Sequence, residues 1–354
     1  MNTLSQIYFG ESAWNDARVH LSTKEFTSVF VITDSNTYND CLPIFKTKNL
    51  FQQFEIFVFA AGEINKNFET AQKIWQWALE KGVDRKSLCI GLGGGVVCDI
   101  GGFCSSVLLR GIPFIYIPTS LMALADASVG GKTGINFNGY KNQIGTFNLP
   151  EFIICDTIFL KSLDQRNIRN GFVEIIKHSL LNNTPSWNVL KEIIWPIEES
   201  ILASLVQQSI NYKSSVVTQD FYEKNMRKVL NFGHTIGHAI ESYYLLIKED
   251  ILHGEAVALG MKLELLLSSN LYLWNKLLLD EINYLLEAYL PTRKLQLTDI
   301  DLILEHLKWD KKKEGGHLRF SLLEELFVPR IDCEVSEEKI RTTMKYYIES
   351  QNVN

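Results

Sequence analysis

No CxxC pair occurs in this 354-residue chain. Its six cysteines (Cys41, Cys89, Cys98, Cys104, Cys155 and Cys333) are scattered and mostly lie in apolar segments. That pattern excludes a disulfide framework or a zinc ribbon and leaves reduced, buried thiols. No uninterrupted apolar run reaches the roughly 18 residues that a membrane span needs. Met1 to Trp14 shows no charged-then-apolar secretion segment either, so the expectation is a cytoplasmic protein with no membrane partner. Positive charge is not in excess: 35 Lys and Arg stand against 41 Asp and Glu, for a net charge of −6. This argues against nucleic acid as a general partner while leaving room for a local cationic pocket. Internal repeats and low-complexity linkers are also missing. With 46% hydrophobic residues, the chain can bury large cores and is expected to form two domains, 1–155 and 156–354.

What is present begins as α/β grammar: strand-like apolar runs such as Ser28–Thr33 and Gln53–Phe59 alternate with helical patterns, which predicts a parallel sheet. Asp34 and Asn36 follow the first run, where α/β sheets grip nucleotides, although both residues are equally ordinary in turns and helix caps. Leu88–Gly95 reads as a buried strand entering three glycines, with a helix predicted over Val96–Leu109. Amides bare of side chains at a helix N-terminus suit a pyrophosphate. The spacing is not GxGxxG, and no acidic residue ends the next strand, Phe114–Ile117, so the expected domain is nucleotide-binding but Rossmann-like in a non-standard way. Beyond it, Asp126–Asn136 and Lys141–Gly145 embed Lys132 and Lys141 in glycine, serine and asparagine. That is poor core material, but it suits an anion with several oxygens.

From Leu160 onward the pattern is mostly helical. Glu174 and Lys177 stand three apart inside an apolar helix, either as a structural ion pair or as a metal carboxylate beside an anion-binding lysine. Arg227, Asn231, His234, His238 and Glu241 recur at steps of four, three, four and three, which on one α-helix would form a continuous polar stripe. His253 opens a further helical pattern, and three imidazoles near an Arg and an Asn suit a divalent metal. Asp310–Gly316 reads as a solvated basic turn, and Ser336 as the cap of a last helix.

Together these residues resemble the 3-dehydroquinate synthase family. The resemblance runs from Thr33-Asp34 to Asp310-Lys311-Lys312 through Gly62-Glu63 with Lys66, Gly93-Gly94-Gly95-Val96-Val97 with Asp99, Leu109-Arg110-Gly111, Pro118-Thr119, Ser128–Asn136, Lys141-Asn142, Glu174 with Lys177, Gly233-His234-Thr235 and His253-Gly254-Glu255. It implies a dehydroquinate synthase-like fold, with an NAD-binding α/β domain, an all-α C-terminal domain and the site in the cleft between them. By the same resemblance, Glu174, His234 and His253 would hold zinc or cobalt. Asp34, Asn36, Glu63, Lys66, Gly94, Gly95, Asp99, Thr119, Ser120, Asp126, Lys132 and Lys141 would serve NAD. Lys132, Asn142, Lys177, Lys213, Arg227, Asn231, His238 and one of Lys311 and Lys312, here Lys312, would surround a sugar-phosphate substrate. Arg110 would reach in from a neighbouring subunit of a homodimer. Val173, Ser179, Ser120 and Asn225 depart from the family's usual Ala, Gly, Thr and Gly.

The implied reaction turns 3-deoxy-D-arabino-heptulosonate 7-phosphate into 3-dehydroquinate by transient oxidation, phosphate elimination, reduction and intramolecular aldol closure. The rival readings are another sugar-phosphate cyclase, making an inosose or a valiolone, and a metal-dependent polyol dehydrogenase.

Overall fold

The computed structural model describes residues 4–138, 140–289, 293–313 and 318–351, without the side chains of 140 and 309–313. Contacts between Cα atoms divide the chain into two compact units, residues 1–168 with 199–214 and residues 169–198 with 215–354.

In chain order the first half gives β1 (Gln6–Phe9), α1 (Ala13–Leu21), β2 (Val29–Asp34), α2 (Ser35–Asp40), α3 (Leu42–Thr47), β3 (Glu55–Phe59), α4 (Phe68–Glu80), β4 (Leu88–Gly93), α5 (Gly95–Val107), β5 (Phe114–Pro118), β6 (Lys132–Phe137), β7 (Tyr140–Phe147) and β8 (Phe152–Cys155). Six of these strands form one parallel sheet in the order β1-β8-β5-β4-β2-β3. Every residue of β4, β5 and β8 is buried, as expected of strands covered on both faces, which read as unbroken apolar runs rather than alternating ones. The core gathers Val31, Leu88, Ile90, Leu92, Ile115, Ile117, Phe152 and Ile154 with Trp14, Phe45 and Phe159. The chain leaves β2 towards β3 on one side and leaves β4 towards β5 on the other. The strand order therefore reverses between β2 and β4, and a crevice opens at their carboxyl ends.

The Gly-rich stretch that carries Lys132 and Lys141 is an antiparallel hairpin. β6 and β7 pair from Lys132↔Phe147 to Phe137↔Tyr140, because Gly134 faces Gly145 where the two backbones nearly touch: a Cβ on Gly145 would lie 2.1 Å from the Thr133 carbonyl oxygen.

The rest of the chain gives α6 (Gln165–Leu181), α7 (Pro185–Glu192), α8 (Glu199–Gln219), α9 (His234–Leu246), α10 (His253–Tyr272), α11 (Lys276–Tyr289), α12 (Ile300–Lys313), β9 (Arg319–Glu325), β10 (Val328–Glu334) and α13 (Glu337–Gln351). The second unit packs Ile236, Ile240 and Tyr243 of α9 and Leu259 and Leu263 of α10 with Leu307, Phe320, Leu322, Ile340 and Met344. It is helical as expected except for the antiparallel hairpin of β9, buried over four consecutive residues, and β10, which alternates.

Two local expectations are corrected. The polar stripe is not one helix. Met226–Asn231 is a 3-10 turn, and Gly233, at φ +79°, turns the chain into α9. Glycine takes this left-handed conformation at no steric cost. The basic run after Asp310 is not a turn at its start, since α12 continues through Lys313. Residues 314–316, the remainder of that expectation, lie outside the described residues.

Candidate functional site

In the first unit the glycine turn has the geometry that a phosphate requires. Gly94 is the N-cap of α5 and offers no side-chain cap of its own. A Cβ on Gly94 would meet Ser120 Oγ at 3.2 Å, and one on Gly95 would meet Ala127 Cβ at 3.3 Å. The turn is thus a cradle that any larger residue would fill, at the positive end of a thirteen-residue helix. Thr119 and Ser120 follow β5 beside it, with the Thr119 N–H donating to the Gly93 carbonyl at 3.0 Å.

Asp34 ends β2 and caps α2, accepting from the N–H groups of Asn36 at 3.0 Å and Thr37 at 2.8 Å. The ordinary capping role left open by the sequence is present at the mouth of the crevice, with Asn36 exposed alongside.

Lys66 is buried between two carboxylates, with Nζ 3.0 Å from Glu63 Oε1 and 3.0 Å from Asp99 Oδ2. Burial alone would lower its pKa, but Asp99 and Glu63 outweigh it and the ammonium is held charged. Burial raises the Asp99 carboxyl against the opposing pull of Lys66. Asn136 joins this group to the hairpin: Nδ2 donates to Glu63 Oε1 at 2.9 Å and Oδ1 accepts from the Asn142 N–H at 3.0 Å. Sequence reasoning gave Asn136 no role of its own. Its position opposite two expected ligand-binding residues is a product of the hairpin register, which the sequence did not reveal.

Lys213, near the end of the stretch of α8 that belongs to the first unit, pairs with Asp126 Oδ1 at 2.7 Å and donates to the Asp126 carbonyl at 2.5 Å. Asp126 lies in a single π-turn, Ala123–Ala127. Lys132, Asn142 and Arg110 are exposed. Asn142 at φ +54° and Arg110 at φ +69° both hold left-handed backbone, a conformation that a non-glycine residue adopts at a cost.

In the second unit three imidazoles converge. His234, His238 and His253 each offer a ring nitrogen, and these atoms all lie within 4.8 Å of one another. The antiparallel run of α9 and α10 brings them together. Glu174, fully buried on α6, points at this group with Oε1 3.6 Å from His234 Nε2. Lys177 Nζ is 2.5 Å from Glu174 Oε2, so the ion pair offered by helical spacing exists. Even so, neither Glu174 oxygen has a hydrogen-bond partner of acceptable geometry. The Lys177 ammonium offsets the charge on the Oε2 side, while Oε1 faces His234 without a hydrogen-bond partner, a position that a further cation would satisfy.

The imidazoles are presented for the same purpose. His234 Nδ1 is 3.2 Å from the Phe232 carbonyl and His253 Nδ1 is 3.4 Å from Glu241 Oε2, leaving the two Nε2 atoms as the electron-pair donors. Burial, then Lys177, His238 and His253, push the His234 pKa well below 6.5. It is therefore the neutral, ligating form at physiological pH. The residues fit a divalent metal with N and O donors. His238, expected to handle protons, belongs to the same cluster. Glu241 lay on the recognised stripe without an assigned role. Asn170 was missed: its Oδ1 accepts from the Gly254 N–H at 2.6 Å and so anchors the first turn of α10 beside His253.

Arg227 is buried, with Nη1 donating to the Phe221 carbonyl at 2.6 Å. Asn231 donates to Glu223 Oε1 at 2.9 Å. Lys312 stands on α12, but its side chain lies outside the described residues.

Comparison with known proteins gives a consistent result. The family described as 3-dehydroquinate synthase N-terminal matches residues 56–170, and 3-dehydroquinate synthase C-terminal matches residues 171–313. A 3-dehydroquinate synthase of Parabacteroides distasonis is 42% identical over 331 residues, covering 93% of this chain and 94% of the relative. The crystal structure of 2-deoxy-scyllo-inosose synthase complexed with carbaglucose-6-phosphate, NAD+ and Co2+ superposes with a TM-score of 0.84 at 25% identity, covering 96% of each chain. That of 2-epi-5-epi-valiolone synthase from Streptomyces hygroscopicus, with NAD+ and Zn2+ bound, gives 0.85 at 22% identity over 99% of this chain and 98% of that one, a likeness of fold.

Proposed function

The chain belongs to the 3-dehydroquinate synthase family, and from that premise we propose that it converts 3-deoxy-D-arabino-heptulosonate 7-phosphate to 3-dehydroquinate and phosphate. It is an enzyme of the sugar-phosphate cyclase type. The observation that carries the reading is Glu174, a wholly buried carboxylate paired with Lys177 through Oε2, whose Oε1 faces His234 without a hydrogen-bond partner. An oxygen left so beside imidazoles suits a metal ligand.

Glu174, His234 and His253 hold zinc or cobalt, and the cradle at Gly94 and Gly95, with Asp34, Asn36, Glu63, Lys66, Asp99, Thr119, Ser120, Asp126, Lys132 and Lys141, serves NAD. When bound, the metal polarises a secondary alcohol and NAD takes up and returns a hydride.

The chain's own residues do the rest. Lys177, Lys213 and Arg227 supply fixed positive charge to the substrate's phosphate and carboxylate, and Lys132, Asn142, Asn231 and Lys312 add polar contacts that hold its orientation. The bond from Arg227 Nη1 to the Phe221 carbonyl helps to set the plane of the guanidinium. His238, the exposed imidazole of the cluster, takes and returns protons at a ring nitrogen. The enzyme works as a cytoplasmic homodimer in which Arg110 completes the neighbouring site.

The test is turnover with zinc and NAD added. Phosphate should be released many times in excess of bound NAD, with no accumulating NADH absorbance. NADH formed one for one with product would make the chain a polyol dehydrogenase instead.

A further inference from the structure

α9 begins without a local cap. Its N-cap is Gly233, which has no side chain to offer, and the first amides of a helix need acceptors. The acceptor comes from another helix. Glu264 of α10, with no exposed surface, accepts from the Gly233 N–H through Oε2 at 2.6 Å and from the Ile236 N–H through Oε1 at 3.1 Å. The Thr235 amide also donates to it.

Beside this cap the helices touch backbone to backbone. A Cβ on Gly260 would lie 2.0 Å from the Gly233 carbonyl oxygen and 2.6 Å from the Gly237 nitrogen. One on Gly237 would lie 3.0 Å from Val257 Cα. Packing alone would be served by an apolar residue at position 264, since burying a carboxylate is expensive. Burial does push this carboxyl up to about 8, with the three amides pulling the other way.

We propose that Glu264 is a positioning residue of the metal site: by capping α9 from α10 it fixes the register of the two helices and hence the placement of His234 and His238 against His253. The proposal rests on the reading of Glu174, His234 and His253 as metal ligands. A slip of α10 along α9 would carry His253 away from His234. Glu264 resists that slip with directional bonds, which the smooth glycine seam cannot provide.

The experiment uses the full-length holoprotein and Glu264→Gln, which keeps the shape but turns an NH2 group towards amides that are themselves donors. Zinc affinity, measured by chelator competition, should fall about 10–100-fold, the range typical of groups that orient metal ligands. The visible absorption of the Co2+-substituted protein should shift, while NAD affinity stays unchanged. A lower melting temperature with wild-type zinc affinity and cobalt spectrum would overturn the proposal and leave Glu264 a purely structural cap. Glu264→Asp keeps the carboxyl group but withdraws it by one methylene, and its affinity should fall between the other two.

If neither variant folds, the wild-type protein decides by linkage. Zinc should slow hydrogen exchange at the Gly233 and Ile236 amides if cap and metal share one register, and unchanged exchange would overturn the idea. Failure of the metal assignment itself looks different: wild-type protein would hold no zinc, or His234→Ala would hold it as tightly.

Discussion

Lys177 Nζ lies 2.5 Å from Glu174 Oε2, one helical turn away on α6, with the two side chains 1% and 0% exposed. Removing the lysine strands a buried carboxylate, which costs about 3–5 kcal/mol. Lys177→Met should therefore lower the melting temperature of the metal-free protein sharply. Saturating zinc should recover much of that loss, because a bound cation replaces the missing charge. Calorimetry with and without zinc measures both, and a loss that zinc leaves untouched would show that Glu174 does not hold metal.

Glu241→Gln should weaken zinc binding about 10–100-fold while leaving the fold intact, since the amide keeps the shape of the side chain and changes the group that orients His253. Chelator competition reads the affinity and circular dichroism the fold. Zinc affinity equal to that of the native chain would remove Glu241 from the site.

The stability of the metal-free protein should fall as pH drops below about 6.5. His234 has its pKa depressed well below 6.5 by burial and then by Lys177, His238 and His253. The unfolded chain thus takes up a proton that the folded chain refuses, and stability rises with pH through that window before levelling off above it. Denaturant titrations between about pH 5 and 7.5 test the sign. His234→Gln should flatten the slope, and an equally steep slope in that variant would assign it to other groups.

Lys66→Met should destabilise the protein by about 3–5 kcal/mol, chiefly through Asp99, because Glu63 is more exposed and contributes little. Adding Asp99→Asn should restore most of the stability without restoring NAD affinity. Recovery of both together would mean that the ion pair has no part in cofactor binding.

The parts of this molecule that were legible in its sequence are those set by short-range rules. The alternation of apolar runs predicted β2, β3, β4 and β5, and the stop-and-cap residues predicted α5 and α13. Glu174, Lys177, His234 and His238 stood out because charged and imidazole groups inside apolar helical patterns need a reason, whereas the set Glu174, His234 and His253 came from the family resemblance. What could not be read was long-range. β1 and β8 are four residues each, too short for a period to show, and their partners are far away in the chain. The β6–β7 hairpin was concealed because its glycines, which look like loop residues, are there to let two backbones meet. The stripe from Arg227 to Glu241 has helical spacing throughout, yet Gly233 divides it, since a side-chain period does not report a backbone turn. Asn136 and Glu264 were invisible for the same reason: each matters for the backbone amides it meets across the fold.

The seam between α9 and α10 also bears on the order in which the site is assembled. His234 and His253 ride on neighbouring antiparallel helices joined by the short link 247–252, so bringing them together closes only a small loop and costs little chain entropy. Glu174 is separated from them in the chain by α7 and α8, and its arrival closes a much longer loop. If these three residues hold a metal as proposed, loop-closure entropy favours engagement of the two imidazoles of the local hairpin before the distant carboxylate. Metal capture would then be coupled to the burial of Glu174 in the second unit.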